Sequence, residues 1–239
     1  EKAGLNTIKV HGTDITNISL LESIANSSIK KVILGVGGAY WMEIEKALKI
    51  LKSKALVLMC GFQGYPTEIL DNQVFRIEAI REMALKLKLN FEMGFADHAV
   101  DEKLSSIVSL VAIGAGAKTI EKHITLGRIM ELEDFESALN PDEFSCFVNE
   151  VNLGQKALGI INKDNDFKMS DSEKKYRENI RRDIVASKDI SPGEMLTFQN
   201  ITLKRTSNIK SIKKLDLVLG KIVKKKLKCN QPILKDHFS

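Results

Sequence analysis

The chain has 239 residues, enough for one large domain or two small ones. Hydrophobic residues make up 44% but aromatics only 6%, so any core is built mainly from Ile, Leu, Val and Ala. No apolar run approaches the roughly 20 residues of a membrane-spanning helix, Glu1 to Asn6 do not resemble a signal peptide, and Cys60, Cys146 and Cys229 are too sparse for a disulfide scaffold or a CxxC zinc site.

In chain order, short β-rich runs alternate with amphipathic stretches. Thr7–Val10 reads as a strand and Ile18–Ala25 as a helix. Val32–Val36 is a strand, followed by a helix from about Trp41 to Leu51. Ala55–Cys60 precedes a long helix from about Val74 to Leu89. Phe91–Ala96 precedes a helix over Lys103–Ile113, and Thr119–Thr125 precedes one over Asp142–Leu158. Alternation at this spacing predicts β/α units with parallel pairing. The expected fold is α/β, a TIM-barrel type with about five of the eight units that a closed barrel needs. The chain opens at Glu1-Lys2-Ala3-Gly4 as if a helix were ending, with Gly4 as its cap. The first barrel strands are therefore expected to be missing from this chain.

Asn162–Asn179 is polar and charged and reads as a linker. Beyond it the extended candidates are short: Asp183–Ala186, Thr202–Lys204, Lys221–Val223 and Gln231–Ile233. Turn signals such as Ser191-Pro192-Gly193 separate them. The expected division is a partial barrel over 1–160, a linker over 161–180 and a small β-rich domain over 181–239. The net charge of +5 is concentrated in that last part, where Lys224-Lys225-Lys226 is the densest run. No basic helix interleaved with aromatics accompanies it, so a solvated lysine-rich surface is expected rather than nucleic-acid binding.

In a barrel of this type the active site lies where strands end. Those positions are Lys9 to Asp14, Gly35 to Gly38, Gly61 to Thr67, Ala96 to His98 and Glu121 to Thr125. His98 and His123 end neighbouring strands, each near a carboxylate, Asp97 and Glu121. If both faces point inward, the two imidazoles converge on one ion, and two histidines with open positions suit Mn²⁺, Fe²⁺, Co²⁺ or Zn²⁺. Lys9 is either a phosphate or carboxylate binder or a lysine that snorkels to solvent. Gly35-Val36-Gly37-Gly38 would let a phosphate approach backbone, but no GK[ST] follows, so it is not a Walker loop.

These pieces, in this order, resemble the sialic acid synthase family. Ile8-Lys9-Val10 with Asp14-Ile15-Thr16-Asn17 is similar to its KI-to-GDITN segment. Tyr65-Pro66-Thr67 matches its YPT turn, and Asp97-His98 its SDH motif. Glu121-Lys122-His123-Ile124-Thr125-Leu126 resembles its EKHFTL strand end. Asp134 followed by Leu139-Asn140-Pro141-Asp142-Glu143-Phe144 resembles its PDEF segment. Val185-Ala186-Ser187-Lys188-Asp189-Ile190, Pro192-Gly193-Glu194, Leu203-Lys204-Arg205 and Leu219-Gly220-Lys221 resemble its C-terminal antifreeze-like SAF domain.

The resemblance implies condensation of phosphoenolpyruvate with an N-acetylmannosamine-like sugar to give a sialic acid or related nonulosonic acid. It implies His98 and His123 as ligands of a divalent metal, Mn²⁺ before Mg²⁺ or Co²⁺. The implied catalytic set is Lys9, Asp14, Glu121 and Asp134. The implied substrate-binding set is Lys9, Tyr65, Asp134 and Arg205, with Arg205 reaching a neighbouring subunit's site. A cytoplasmic homodimer, its small domain capping the partner's barrel, is implied as well. The departures fall on the phosphate side. The family's phosphate-contacting serines fall on Gly12, Gly35 and Ala96, a further serine on Ala138, and the proline after Arg205 is Thr206. The glutamate and second lysine of the family's first three strands have no equivalent. The alternative expectation is a non-catalytic metal- or sugar-binding descendant, or one half of a split synthase.

Overall fold

The structure, a computed structural model, describes residues 4–62, 64–159, 168–206 and 211–239. The chain divides into two compact units, Glu1–Ile160 and Ile161–Ser239.

The first unit holds a six-stranded parallel sheet whose strand order follows the sequence. The strands are β1 (Thr7–Val10), β2 (Lys31–Gly35), β3 (Ala55–Cys60), β4 (Phe91–Asp97), β5 (Ala117–Ile124) and β6 (Ala138–Leu139). Helices α1 (Ile18–Ala25), α2 (Trp41–Ile50), α3 (Arg76–Lys86), α4 (Glu102–Gly114) and α5 (Pro141–Leu158) follow β1, β2, β3, β4 and β6 in turn. Parallel strands in sequential order come from crossovers of one hand, which put every helix on one face and leave the other to curl inward. The fold is thus the expected α/β barrel type. The sixth strand was not expected. Its two residues carry too little pattern to be read from sequence, and it exists because Thr125 N–H reaches Leu139 O at 3.0 Å.

Burial follows the alternation of each strand. Val32, Leu34, Leu56, Leu58, Met93, Phe95 and Ala117 pack under the helices with Leu21, Leu48, Ile77 and Val108. Ile33, Val57, Met59 and Ala96 form a smaller cluster on the other, concave face. Helix ends are set by local chemistry. The Asp101 carboxylate accepts the Leu104 N–H at 2.8 Å, capping α4. Asn140 and Glu143 form a capping box ahead of α5, with Pro141 in its first turn.

One irregularity matters for the site. Met93 pairs with Ala117, but Gly94 pairs with Thr119. Lys118 is the extra residue of a β-bulge. A one-residue slip flips every later side chain to the opposite face. Beyond the bulge Ala96 lies opposite Glu121, so Glu121 and His123 share the concave face with Ala96 and His98.

In the second unit β7 (Asp183–Ala186) pairs antiparallel with β8 (Ile201–Lys204). Ile184, Ile190, Leu196, Val218, Val223, Leu227 and Ile233 form its core. The extended candidates Lys221–Val223 and Gln231–Ile233 form no ladder and contribute single bridges, such as Val185 to Pro232 and Met195 to Ile222. Pro232 has no N–H to continue a ladder. The stretch read as a linker contains a helix, α6 (Asp171–Ile180). Its polarity hides a capping signal, Ser170 with Glu173, whose side chains exchange hydrogen bonds with backbone at 3.1 and 2.7 Å. Residues 161–167 of that stretch, with residue 160 before it and the opening 1–3, lie outside the described residues.

Candidate functional site

Three aromatic rings meet at the ends of β4 and β5. The His98 and His123 ring centroids are 5.2 Å apart. Tyr65 stands edge-on to both, at 5.5 and 5.8 Å. The Tyr65 turn is held to the end of β4 by Thr67. Its N–H donates to His98 O at 2.9 Å, and its hydroxyl donates to Phe62 O at 2.8 Å. Asp134 lies beside His123, with Oδ2 3.6 Å from Nδ1. Asp134 adopts the left-handed conformation, φ 59°, which short polar side chains tolerate. Arg128 braces its loop: the guanidinium bonds Glu143 of α5 and, at 3.1 Å, Val100 O.

His98 is 1% exposed, and neither ring nitrogen has a hydrogen-bond partner. Burial pushes its pKa down, and the nearby His123 adds to that; Asp97 and Glu121 oppose it. A buried neutral imidazole with a free lone pair is a metal donor short of its acceptor, so the residues fit a divalent ion. Among the described residues no group of three or more His, Cys, Asp and Glu side chains is gathered to hold one. The fit therefore rests on two imidazoles, with further positions open to a ligand. Burial, with the negative charges of Asp134, Glu121 and Glu133, raises the Tyr65 pKa and keeps its hydroxyl protonated.

Behind the histidines, on the helix side, Lys122 Nζ lies 2.9 Å from Asp97 Oδ2, with side-chain exposures of 1% and 0%. Lys122 also donates to Ala99 O at 2.7 Å. Burial lowers the Lys122 pKa, and the Asp97 charge and hydrogen bond oppose it. This pair ties together the two strand ends that carry the histidines. Sequence reading missed Lys122; the signal was its place one residue before His123, matching Asp97 before His98.

A second group lies on the same concave face. Lys9, His11, Gly12, Gly35, Gly37, Met59, Gly61, Ala96 and Glu121 line a cleft of about 20 Å³, room for one water molecule. Lys9 Nζ is 2.5 Å from Glu121 Oε1. The glycines are there because backbones touch. A Cβ on Gly35 would lie 2.7 Å from Gly12 N, and one on Gly37 would lie 1.7 Å from Gly61 O. No side chain fits at 12 or 35 while these strand ends stand this close. His11 was not singled out from the sequence. A larger groove of about 660 Å³ along α5 is lined by Asn149, Asn152 and Leu153 but holds none of the expected site residues.

The first unit thus brings Lys9 to Glu121, and His98 to His123, Tyr65 and Asp134. Asp14 sits in a single 3-10 turn after β1 and does not line the cleft. Arg205 is an exposed residue after β8, in the second unit. Among the described residues no helix is long and apolar enough to cross a membrane.

The NeuB family matches residues 1–163, and the SAF domain residues 181–239. The N,N'-diacetyllegionaminic acid synthase of Campylobacter jejuni is 34% identical over 230 residues, covering 94% of this chain and 65% of that protein. Human N-acetylneuraminate-9-phosphate synthase is 28% identical over 198 residues, covering 82% of this chain and 52% of that protein. The chain therefore spans less than two thirds of the length of these relatives. Among solved structures, the N-acetylneuraminic acid synthetase of Leptospira borgpetersenii is similar with a TM-score of 0.62 and 30% identity, covering 75% of this chain and 60% of that one. With a match over the whole first unit and identity above 30% along most of its length, the chain belongs to the NeuB family and carries a C-terminal SAF domain.

Proposed function

We propose that this chain contributes the active site of a condensing synthase that joins phosphoenolpyruvate to an N-acetylmannosamine-like sugar, giving a sialic acid or related nonulosonic acid. The observation that carries the reading is the convergence of His98, His123, Tyr65 and Asp134 at adjoining strand ends. The names of the relatives, synthases of acids of this type, support it.

In this reading His98 and His123 hold a divalent metal, Mn²⁺ in preference to Mg²⁺ or Co²⁺, which supplies Lewis acidity toward the sugar aldehyde. Asp134 accepts hydrogen bonds from sugar hydroxyls, and Tyr65 packs the two imidazoles in place. Lys9 leaves Glu121 to pair with the donor's anionic group. C3 of phosphoenolpyruvate attacks the aldehyde carbon, water adds at C2, and phosphate departs. Of the two protons of the water, Glu121, once free of Lys9, takes one and returns it to the new alkoxide, and the other leaves with the phosphate as the C2 carbonyl forms. Asp14 and Arg205 belong to the proposed set through the resemblance alone. A homodimer in which Arg205 serves the partner's site, and a reducing cytoplasm suited to free Cys60, Cys146 and Cys229, complete the proposal.

A second reading, a sugar- and metal-binding chain without turnover or one half of a split synthase, is favoured by two features. The cleft beside Lys9 holds only about 20 Å³, and Lys9 is already paired. Calorimetry with Mn²⁺, N-acetylmannosamine and phosphoenolpyruvate, followed by a phosphate-release assay, separates the two. Binding of all three with phosphate release supports the synthase. Sugar binding with Mn²⁺ and no phosphoenolpyruvate binding favours the second reading.

A further inference from the structure

The cleft beside Lys9 has an unusual inventory of donors. Gly12, Gly35, Gly37 and Gly61 offer no side chain, and the backbone contacts at 12, 35 and 37 leave no room for one. Ala96 and Met59 are apolar. Lys9 is held by Glu121, and the two charges cancel. The remaining polar side chain is His11.

The orientation of His11 is fixed by Thr13. The Thr13 backbone N–H, which can only donate, reaches His11 Nδ1 at 3.3 Å. Thr13 Oγ1 lies 2.8 Å from the same nitrogen. Nδ1 is therefore an acceptor, and the neutral ring carries its proton on Nε2. Among the described residues the hydrogen bonds of the His11 ring both fall on Nδ1, which leaves Nε2 as a donor on a residue that lines the cleft.

We propose that His11 Nε2–H is a substrate-positioning donor of this cleft, binding a carboxylate or phosphate oxygen of the small acid that Lys9 receives. The proposal rests on the condensing-synthase reading and deepens it. The cleft has room for one water-sized group, so it takes a single oxygen of the donor acid, met by one imidazole N–H and one lysine where the glycine contacts exclude hydroxyl side chains.

The two amide replacements distinguish the nitrogens. In His11→Gln the side-chain amide N–H reaches about as far as Nε2. In His11→Asn the amide stops near Nδ1, so contact with Thr13 is kept and the reach into the cleft is lost. The experiment is calorimetry of the full chain and both variants with phosphoenolpyruvate and, separately, with N-acetylmannosamine plus Mn²⁺. Imidazole ¹⁵N spectra of the unaltered chain are recorded alongside. Expected results are a Kd for phosphoenolpyruvate raised about tenfold in His11→Asn and less than threefold in His11→Gln, with sugar binding unchanged. The His11 Nε2 resonance should move as phosphoenolpyruvate saturates the chain. Equal phosphoenolpyruvate binding by all three proteins with a stationary Nε2 resonance overturns the role of His11 and leaves the synthase reading standing. No phosphoenolpyruvate binding by the unaltered chain overturns both. Loss of sugar binding in His11→Asn alone would show a general structural effect and would also overturn the proposal.

Discussion

Lys9 and Glu121 lie on β1 and β5, strands four places apart in the sheet, yet their charged groups are 2.5 Å apart. In a flat sheet those strands would be separated by about 19 Å. The contact exists because the sheet curls, and it occupies the lysine that the proposed donor acid needs.

Replacing Glu121 with Gln should therefore free Lys9. Half-exposed ion pairs are worth about 0.2–1 kcal/mol, so affinity for phosphoenolpyruvate or inorganic phosphate should rise by a few-fold at most. Phosphate release should fall, because Glu121 also carries a proton in the proposed reaction. Calorimetry and a phosphate assay on the same sample check the opposite signs. Weaker anion binding in this variant would show that Glu121 does not compete for Lys9.

Alanine at His98 or His123 should remove the proposed metal. Loss of a partner one shell out from a metal costs about 10–100-fold in affinity, so loss of a ligand should cost at least about 100-fold. Elemental analysis after gel filtration in Mn²⁺ reads the stoichiometry. A doubly substituted chain that keeps one Mn²⁺ per chain would place the metal elsewhere.

The buried pair of Asp97 and Lys122 should behave differently from the exposed one. Removing one partner leaves a buried charge unpaired and should cost about 3–5 kcal/mol. Asp97→Asn and Lys122→Met should each show this in urea unfolding. The double variant should lose clearly less than the sum, because no lone charge remains. Simple additivity would mean that the two charges do not stabilise each other.

Gly37→Ala should destabilise the chain by about 1–3 kcal/mol, since the new Cβ would lie 1.7 Å from a backbone oxygen. Gly114→Ala is the control. It lies at the end of α4 with no heavy atom within 4 Å of its added methyl, and should be neutral or stabilising by up to about 1 kcal/mol. Thermal melts of the two variants test the contrast.

Cys60 should be silent toward thiol reagents. Burial pushes its pKa up to about 12, against a small opposing effect of Arg76. At pH 8 only about one part in ten thousand would be thiolate. Cys146 and Cys229 are exposed. Alkylation followed by mass spectrometry should mark those two in the native chain and Cys60 only after unfolding.

Local pattern by itself determined a good deal of this protein. Four-to-eight-residue β-rich runs between amphipathic stretches located β1 to β5 and their helices to within a few residues, because burial on one side of a strand or helix writes its period into the sequence. The ordered motifs around Lys9, Tyr65, His98, His123 and Asp134 indicated the family. What only the tertiary structure decided is how those residues face one another. The bulge at Lys118 sets which face Glu121 and His123 take, and a single extra residue leaves no compositional trace. The curl that joins Lys9 to Glu121, the backbone contacts behind Gly12, Gly35, Gly37 and Gly61, and the turn of His11 toward Thr13 all depend on segments distant in sequence or on side-chain direction. The two-residue strand β6 and the single bridges of the second unit are likewise held by partners elsewhere in the chain. Periodicity records what each segment buries. It does not record which atoms the folded sheet brings within hydrogen-bonding distance.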